Sequence, residues 1–271
     1  MLKYKVIFFA NTPHTMNYYF ILAGFVVGFL VGLTGVGGGS LMTPILLIFF
    51  NVKAAVAVGT DLLYASVTKS VGIFAHGKLG NIDWSIVKLL GFGSIPASIT
   101  TIFFLKTIDI DSSDAIATIK FWLGVALIVT SVAVLFRNKL QQLSGKSHWV
   151  APQYVPLATV LLGVVLGALV TLTSVGAGAL GVTALVMLYP KEKITTIVGS
   201  DIAHAVPLTL IAGLGHASLG TIDYPLLGTL LIGSIPGIYL GSHMSSKVAE
   251  HWVRIALAAI LIFVGLKLVL H

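Results

Sequence analysis

Two aspartates, Asp61 and Asp201, stand in otherwise apolar segments of this sequence. On a helix, Lys69 lies two turns beyond Asp61, and His204 follows Asp201 at a spacing that places both side chains on one face. An ionisable group in such surroundings is costly, so these groups usually line a cavity or an ion path. Because histidine titrates near neutral pH, Asp201 and His204 are candidates for carrying a coupling proton. Asp61 and Lys69 are candidates for binding a small charged substrate.

The two aspartates also have a simpler interpretation as helix caps. Asp61 follows Thr60 and Asp201 follows Ser200, and all these residue types are common at helix N-termini. Capping and substrate binding are compatible, so we include Thr60 and Ser200 among the predicted substrate-binding residues. For Lys69, the alternative is that its ammonium group extends to a polar surface while its aliphatic stem stays in apolar surroundings.

Two glycine-rich breaks, at residues 35–40 and 174–179, are a second kind of candidate site. Glycine lets the backbone leave helical geometry, and the first amides of the helix that follows have no partner within that helix. Those amides and the positive end of the helix dipole form an anion site without a charged side chain. The alternative is that the glycines only permit close helix packing. The break residues assigned to substrate binding are Gly35, Gly37, Gly38, Gly39, Ser40, Gly176 and Gly178.

A repeated His-x6-Asp pattern is interpreted as structural. It joins His76 to Asp83 and His216 to Asp223, and it predicts a hydrogen bond that fixes each of two loops. Neither histidine has a third or fourth ligand nearby in the sequence, so we predict no metal site.

A Gly-Ser-Ile-Pro segment also occurs twice, ending in Pro96 and Pro236. Proline inside a helix removes a hydrogen bond and kinks the axis, so the matched pair predicts a hinge or a close helix crossing. No catalytic constellation is apparent, and the first glycine run lacks the Gly-Lys-Ser/Thr ending of a nucleotide-binding loop. We therefore predict neither an enzyme nor a cofactor.

The composition places these residues in a membrane. Of 271 residues, 57% are hydrophobic and only 9% are charged, whereas a soluble domain carries about 25% charged residues. Long continuous apolar runs predict spanning helices instead of the alternating strands of a barrel. The net charge of +7 comes from basic residues in short loops, where they determine topology, so nucleic acid is not an expected partner. The absence of cysteine excludes disulfides and thiolate sites.

The chain contains two copies of one unit. Residues 59–61, 76–84 and 93–96 each match a segment 140 positions later, in their polar and special-backbone residues. The predicted units are residues 1–136 and 154–271, separated by a polar linker at 137–153.

The predicted fold is an all-α polytopic membrane protein made of these two repeats. Each repeat has about five helices, including a short or broken helix after its glycine-rich break. An odd number of crossings in each repeat gives the two repeats opposite orientations, and a binding site is then expected at their interface. A re-entrant pair of helices in place of two full spans is an alternative.

The motifs together resemble one known family. The run from Gly35 to Pro44, residues 57–62, the segment from His76 to Asp83 and residues 93–96 are similar to the sulfite exporter TauE/SafE family, and the similarity covers nearly the whole chain. It implies inverted repeats, export of sulfite or sulfonates such as sulfoacetate, and a site at the glycine-rich breaks. The second break departs from the family pattern because its glycine run is shorter and no proline follows.

Our functional prediction is a secondary transporter that exports a small sulfur-containing anion across a prokaryotic cytoplasmic membrane. The expected partners are the anion, the lipid bilayer and a second copy of the chain. Two aspartates stand where the family commonly has serine, which leaves open a cation- or proton-coupled transporter of another small solute. A membrane enzyme or a non-transporting scaffold are the alternatives from other functional classes.

Overall fold

The computed structural model describes residues 18–34, 41–78, 81–110, 112–144, 150–176, 178–244 and 250–270. The first glycine-rich break, with Gly35, Gly37, Gly38, Gly39 and Ser40, lies outside these ranges. The side chain of His76 is also outside the described part.

The described residues form ten α-helices and one short 3₁₀ turn, which agrees with the prediction of about five helices in each of two repeats. The helices are α1 (Tyr18–Thr34), α2 (Met42–Phe49), α3 (Ala54–Lys78), α4 (Trp84–Lys106), α5 (Ser113–Ser144), α6 (Val155–Thr173), α7 (Ala179–Leu188), α8 (Ile194–Ser218), α9 (Tyr224–Met244) and α10 (Glu250–Leu270). The 3₁₀ turn, Pro152–Tyr154, leads directly into α6. The prediction of an all-helical fold is confirmed for the part of the chain that the structure describes.

Five of the described helices are long and apolar enough to cross a bilayer: α4, α5 as far as Phe136, α6 with the preceding turn, α8 and α9. Large apolar side chains on the outside fit lipid as the surrounding solvent, because Phe92 is 72% exposed and Phe263 is 66% exposed. α8 is the most buried of the five, with 72% of its apolar window inside the protein. The centre of the molecule is therefore built around α8.

Helices that pack together in the structure have counterparts in the opposite halves that also pack together. α1 packs along α9, and α6, the counterpart of α1, packs along α4, the counterpart of α9. α3 packs on α8 and α5 packs on α10, so these two contacts join equivalent helices. The largest contacts thus run between the halves and not within them.

Glycines allow the α1–α9 pair to approach closely. A Cβ on Gly28 would collide with the backbone of Ser234, and a Cβ on Gly237 would collide with the backbone of Phe25. Gly167 of α6 makes the equivalent contact with α4. Small residues at membrane helix interfaces gain van der Waals contact in this way.

The loops before α4 and α9 end in aspartate caps. Asp83 is the N-cap of α4 and accepts hydrogen bonds from the Ser85 and Ile86 amides. Asp223 accepts one from the Leu226 amide at the start of α9. A carboxylate at this position satisfies amides that have no helical partner.

Candidate functional site

Asp61 binds the first turn of another helix. α3 begins at Ala54, so Asp61 lies two turns inside it and does not cap its own helix. Asp61 Oδ2 accepts hydrogen bonds from the backbone N–H of Thr43 at 3.1 Å and from its hydroxyl at 2.6 Å. The α2 amide that the sequence suggested as an anion ligand is therefore bound to the chain's own carboxylate. Asp61 is fully buried.

Asp201 occupies the equivalent position in α8 and is also fully buried. Neither of its carboxylate oxygens forms a hydrogen bond of good geometry among the described residues, although the Gly178 backbone amide lies close to the carboxylate. It faces the start of α7, because a Cβ on Gly181 would collide with its Oδ1. The two glycine-rich breaks align 139 positions apart, and with this alignment the position equivalent to Thr43 holds Val182, which has no hydroxyl to donate. The two carboxylates thus lie at the N-terminal ends of α2 and α7, but their hydrogen-bonding environments differ.

Lys69 is the buried cation of this region. Its side chain is only 5% exposed, and it interacts electrostatically with both Asp201 and Asp61. The equivalent position in α8 holds Thr209, which bonds to its own helix at the Ala205 carbonyl. One lysine therefore lies within the field of two carboxylates, which breaks the symmetry of the repeat.

His204 is directed to α4. Its Nε2 lies 2.7 Å from the Ser94 hydroxyl, and its Nδ1 has no partner among the described residues. The sequence spacing predicted a shared face with Asp201, but the hydrogen bond of His204 goes to a helix of the other half. The equivalent residues are Tyr64 and Ser234, whose hydroxyls are buried and close together without forming a hydrogen bond of good geometry.

Ser174, at the second glycine-rich break, has an unusual backbone. It ends α6 with φ 59° and ψ 3°, the left-handed conformation, and its N–H bonds to the Val170 carbonyl. Its hydroxyl is buried near the Asp61 carboxylate but makes no hydrogen bond of good geometry. Gly176 and Gly178 follow with φ of 125° and 127°, so the break uses the conformations that glycine permits.

Thr60 and Ser200 hold the loops of the opposite half. Thr60 Oγ1 accepts a hydrogen bond from the Asp223 amide at 3.1 Å, and Ser200 Oγ accepts one from the Asp83 amide at 2.8 Å. Their hydroxyls are thus engaged with loop backbone, although both residues are adjacent in sequence to the buried aspartates.

His216 also holds a loop, through a partner other than the predicted aspartate. Its Nδ1 lies 2.9 Å from Thr221 Oγ1, and its Nε2 lies 3.0 Å from the Thr171 carbonyl oxygen. Pro96 and Pro236 lie inside α4 and α9, each two residues after the serine described above.

Five residues near the aspartates are outside the sequence assignment: Thr43, Tyr64, Ser94, Ser174 and Ser234. Two were visible as the serines of the repeated Gly-Ser-Ile-Pro segment, and Tyr64 stands 140 positions before His204. Within the described ranges, no three His, Asp or Glu side chains are grouped as metal ligands.

Comparison with known proteins identifies the family of this arrangement. The family model described as Sulfite exporter TauE/SafE matches residues 20–268. This match confirms the resemblance that the motifs indicated. No solved structure is significantly similar to the chain.

Curated relatives cover almost the whole length. The Probable membrane transporter protein YjnA of Bacillus subtilis is 40% identical over 94% of this chain and 100% of its own. The Probable membrane transporter protein MJ0441 of Methanocaldococcus jannaschii is 32% identical over 92% of this chain and 94% of its own. These relatives are named as transporters, and their names specify no substrate.

Proposed function

Because the chain belongs to the sulfite exporter TauE/SafE family of multi-pass membrane transporters, we propose that it exports a small sulfur-containing anion, either sulfite or an organosulfonate such as sulfoacetate. Export across the cytoplasmic membrane of a prokaryote fits the apolar helices and relatives from bacteria and an archaeon. The family establishes transport, and the site supplies the argument for the substrate.

One observation carries the proposal: Lys69 and two carboxylates are buried together in the middle of long helices, beside the starts of α2 and α7. Such groups are too costly to bury for stability alone and mark a substrate or ion path. Asp61, Lys69, the first break and Gly176 with Gly178 are assigned to the substrate.

Asp201 and His204 are assigned to coupling. Both present buried polar atoms that form no hydrogen bond of good geometry among the described residues, which leaves them available to a proton or cation during the cycle. Thr60 and Ser200, whose hydroxyls bind loop amides, are assigned to positioning the helices that carry the aspartates.

We further propose that residues 1–136 and 154–271 are inverted repeats joined by the linker 137–153. The exchange of packing pairs between the halves supports this arrangement, because each of the four largest contacts has a counterpart or joins two equivalent helices. Alternating access by movement of one repeat against the other is the mechanism expected of such a protein. A dimer of two chains is part of the proposal.

The test is efflux of radiolabelled sulfite and sulfoacetate from proteoliposomes that contain the purified protein. We expect efflux of at least one anion above that of empty liposomes, with acceleration by an imposed ion gradient. Absence of flux for both anions under proton and sodium gradients would overturn the proposal. Two carboxylates around one lysine favour a second candidate, a cation-coupled transporter of another solute, which sodium or proton movement without either anion would support.

A further inference from the structure

Three buried hydroxyl groups near Asp61 lie beside polar neighbours but form no hydrogen bond of good geometry among the described residues. They belong to Tyr64 of α3, Ser174 at the end of α6 and Ser234 of α9, and none of the three side chains is more than 5% exposed. Buried hydroxyls are normally hydrogen-bonded, because burial without a partner is costly. Three in one region indicate a place where a polar ligand binds.

The three hydroxyls form one group with the Asp61 carboxylate. Ser174 lies beside Asp61, Tyr64 interacts with Asp61 electrostatically, and Ser234 lies beside Tyr64. Thr43 donates both of its hydrogen bonds to Asp61 Oδ2, so Oδ1 is left without a hydrogen bond of good geometry, and the Ser174 hydroxyl is the donor beside the carboxylate. The group therefore offers three hydroxyl donors and one carboxylate acceptor.

The backbone of Ser174 supports a role for its side chain. A left-handed conformation is unfavourable for any residue with a Cβ, and the sequence has glycine, which bears no such cost, at the equivalent position of the first half, Gly35. A serine at φ 59° keeps its hydroxyl at a conformational cost. Strain of this kind is concentrated at functional sites.

We propose that these hydroxyls bind the three oxygens of hydrogen sulfite, and that Asp61 Oδ1 accepts the hydrogen bond of the anion's own O–H group. The inference rests on the proposed function and specifies the species that is carried. A fully deprotonated anion would face Asp61 acceptor to acceptor, whereas the monoprotonated anion brings the missing donor. Lys69 supplies the opposite charge for the bound anion.

The titratable groups around Asp61 come from two helices. Tyr64 and Lys69 lie on α3 with it, and Asp201 and His204 of α8 interact with Lys69. The tests therefore change hydrogen-bond capacity at one fixed pH slightly above neutrality, so that Asp61 remains an acceptor and the other groups keep their protonation states.

The first test replaces the strained serine by glycine. Ser174→Gly removes the hydroxyl and relieves the left-handed backbone, so we expect a higher melting temperature together with sulfite efflux reduced roughly ten- to hundredfold at low concentration. If Ser174 has only a structural role, Ser174→Gly will instead lower the melting temperature or leave sulfite efflux unchanged. Ser70→Ala is the matched control, because the Ser70 hydroxyl bonds to the Ser66 carbonyl of its own helix.

The second test exchanges the acceptor for a donor. Asp61→Asn retains an oxygen for Thr43 and directs an amide N–H₂ group to the ligand. Methanesulfonate has three oxygens and no O–H, so we expect it to compete weakly with labelled sulfite in the wild type and at least about tenfold better in Asp61→Asn. Asp114→Asn, at an exposed position, is the control.

Tyr64→Phe and Ser234→Ala complete the set and should each weaken sulfite transport. Wild-type transport by all three hydroxyl variants, or an unchanged preference in Asp61→Asn, overturns this inference and leaves the proposed function intact. If the wild type transports sulfoacetate but not sulfite, this inference is also overturned and the proposed function remains intact. Transport of neither anion overturns the proposed function, and this inference with it.

Discussion

The Ser200 hydroxyl accepts a hydrogen bond of 2.8 Å from the Asp83 backbone amide, although 117 positions separate the two residues. In the equivalent pair, the Thr60 hydroxyl of the first half accepts a hydrogen bond of 3.1 Å from the Asp223 amide of the second half. Each half thus supplies the hydroxyl that orders the other half's loop, and the residue after each hydroxyl is a buried aspartate. Loop position and carboxylate position are therefore linked through one helix in each half.

We expect Ser200→Ala to lower the free energy of unfolding by about 1 kcal/mol, because it leaves the Asp83 amide without its partner. Thermal unfolding of the purified protein in detergent measures the effect. Ser218→Ala is the control, since Ser218 is exposed and bonds to the Gly215 carbonyl one turn before it. Equal stability of the two variants would show that the bond between the halves contributes nothing.

Thr43→Val is expected to be more damaging. It removes the 2.6 Å bond from the Thr43 hydroxyl to a buried carboxylate, and hydrogen bonds to charged groups contribute about 1.5–3 kcal/mol. Denaturant unfolding in detergent measures the loss. Thr130→Val is the control, matched in size and burial. The Thr130 hydroxyl bonds to the Ala126 carbonyl of its own helix, so Thr130→Val should lower the free energy of unfolding less than Thr43→Val does. The reverse order would argue against long-range capping of α2 by Asp61.

Gly28→Ala tests the close packing of α1 on α9. The added methyl group would overlap the Ser234 backbone, and overpacking of this kind costs about 1–3 kcal/mol. Because α9 carries Ser234, the shift should also reduce transport. Gly228→Ala on the same helix α9 meets nothing within 4 Å and should be neutral or stabilising by about 0.5–1 kcal/mol. Parallel melting curves and flux assays decide between these expectations.

Asp201→Asn tests the assignment of coupling to the second half. If Asp201 carries the coupling ion, the variant should lose efflux driven by an ion gradient while keeping exchange of labelled for unlabelled anion, which needs no net ion movement. Proteoliposomes with an ion gradient across the membrane measure driven efflux, and proteoliposomes without an ion gradient measure exchange. Loss of exchange as well would place Asp201 in substrate binding, and unchanged driven efflux would remove it from coupling altogether.

The sequence by itself determined the class of structure and the family. Apolar runs of spanning length leave helices as the structure that satisfies its own backbone in lipid, and the described helices agree with those runs. The repeat was visible because His, Asp, Gly and Pro rarely match by chance at one offset. Asp61, Asp201 and Lys69 stood out in the sequence because charged residues are rare in apolar segments. They are rare there because a charge is costly to bury in a membrane.

The tertiary structure alone decided which group faces which. Spacing along a helix paired His204 with Asp201, yet the His204 ring bonds to Ser94, 110 positions away. The sequence could not distinguish Asp61 from Asp201, because the difference lies in a threonine of α2 whose counterpart is a valine of α7. Periodicity describes one helix at a time, whereas this site is formed by contacts between helices of opposite halves. Those contacts depend on how closely the glycines allow the helices to approach, and only the packed structure contains that information.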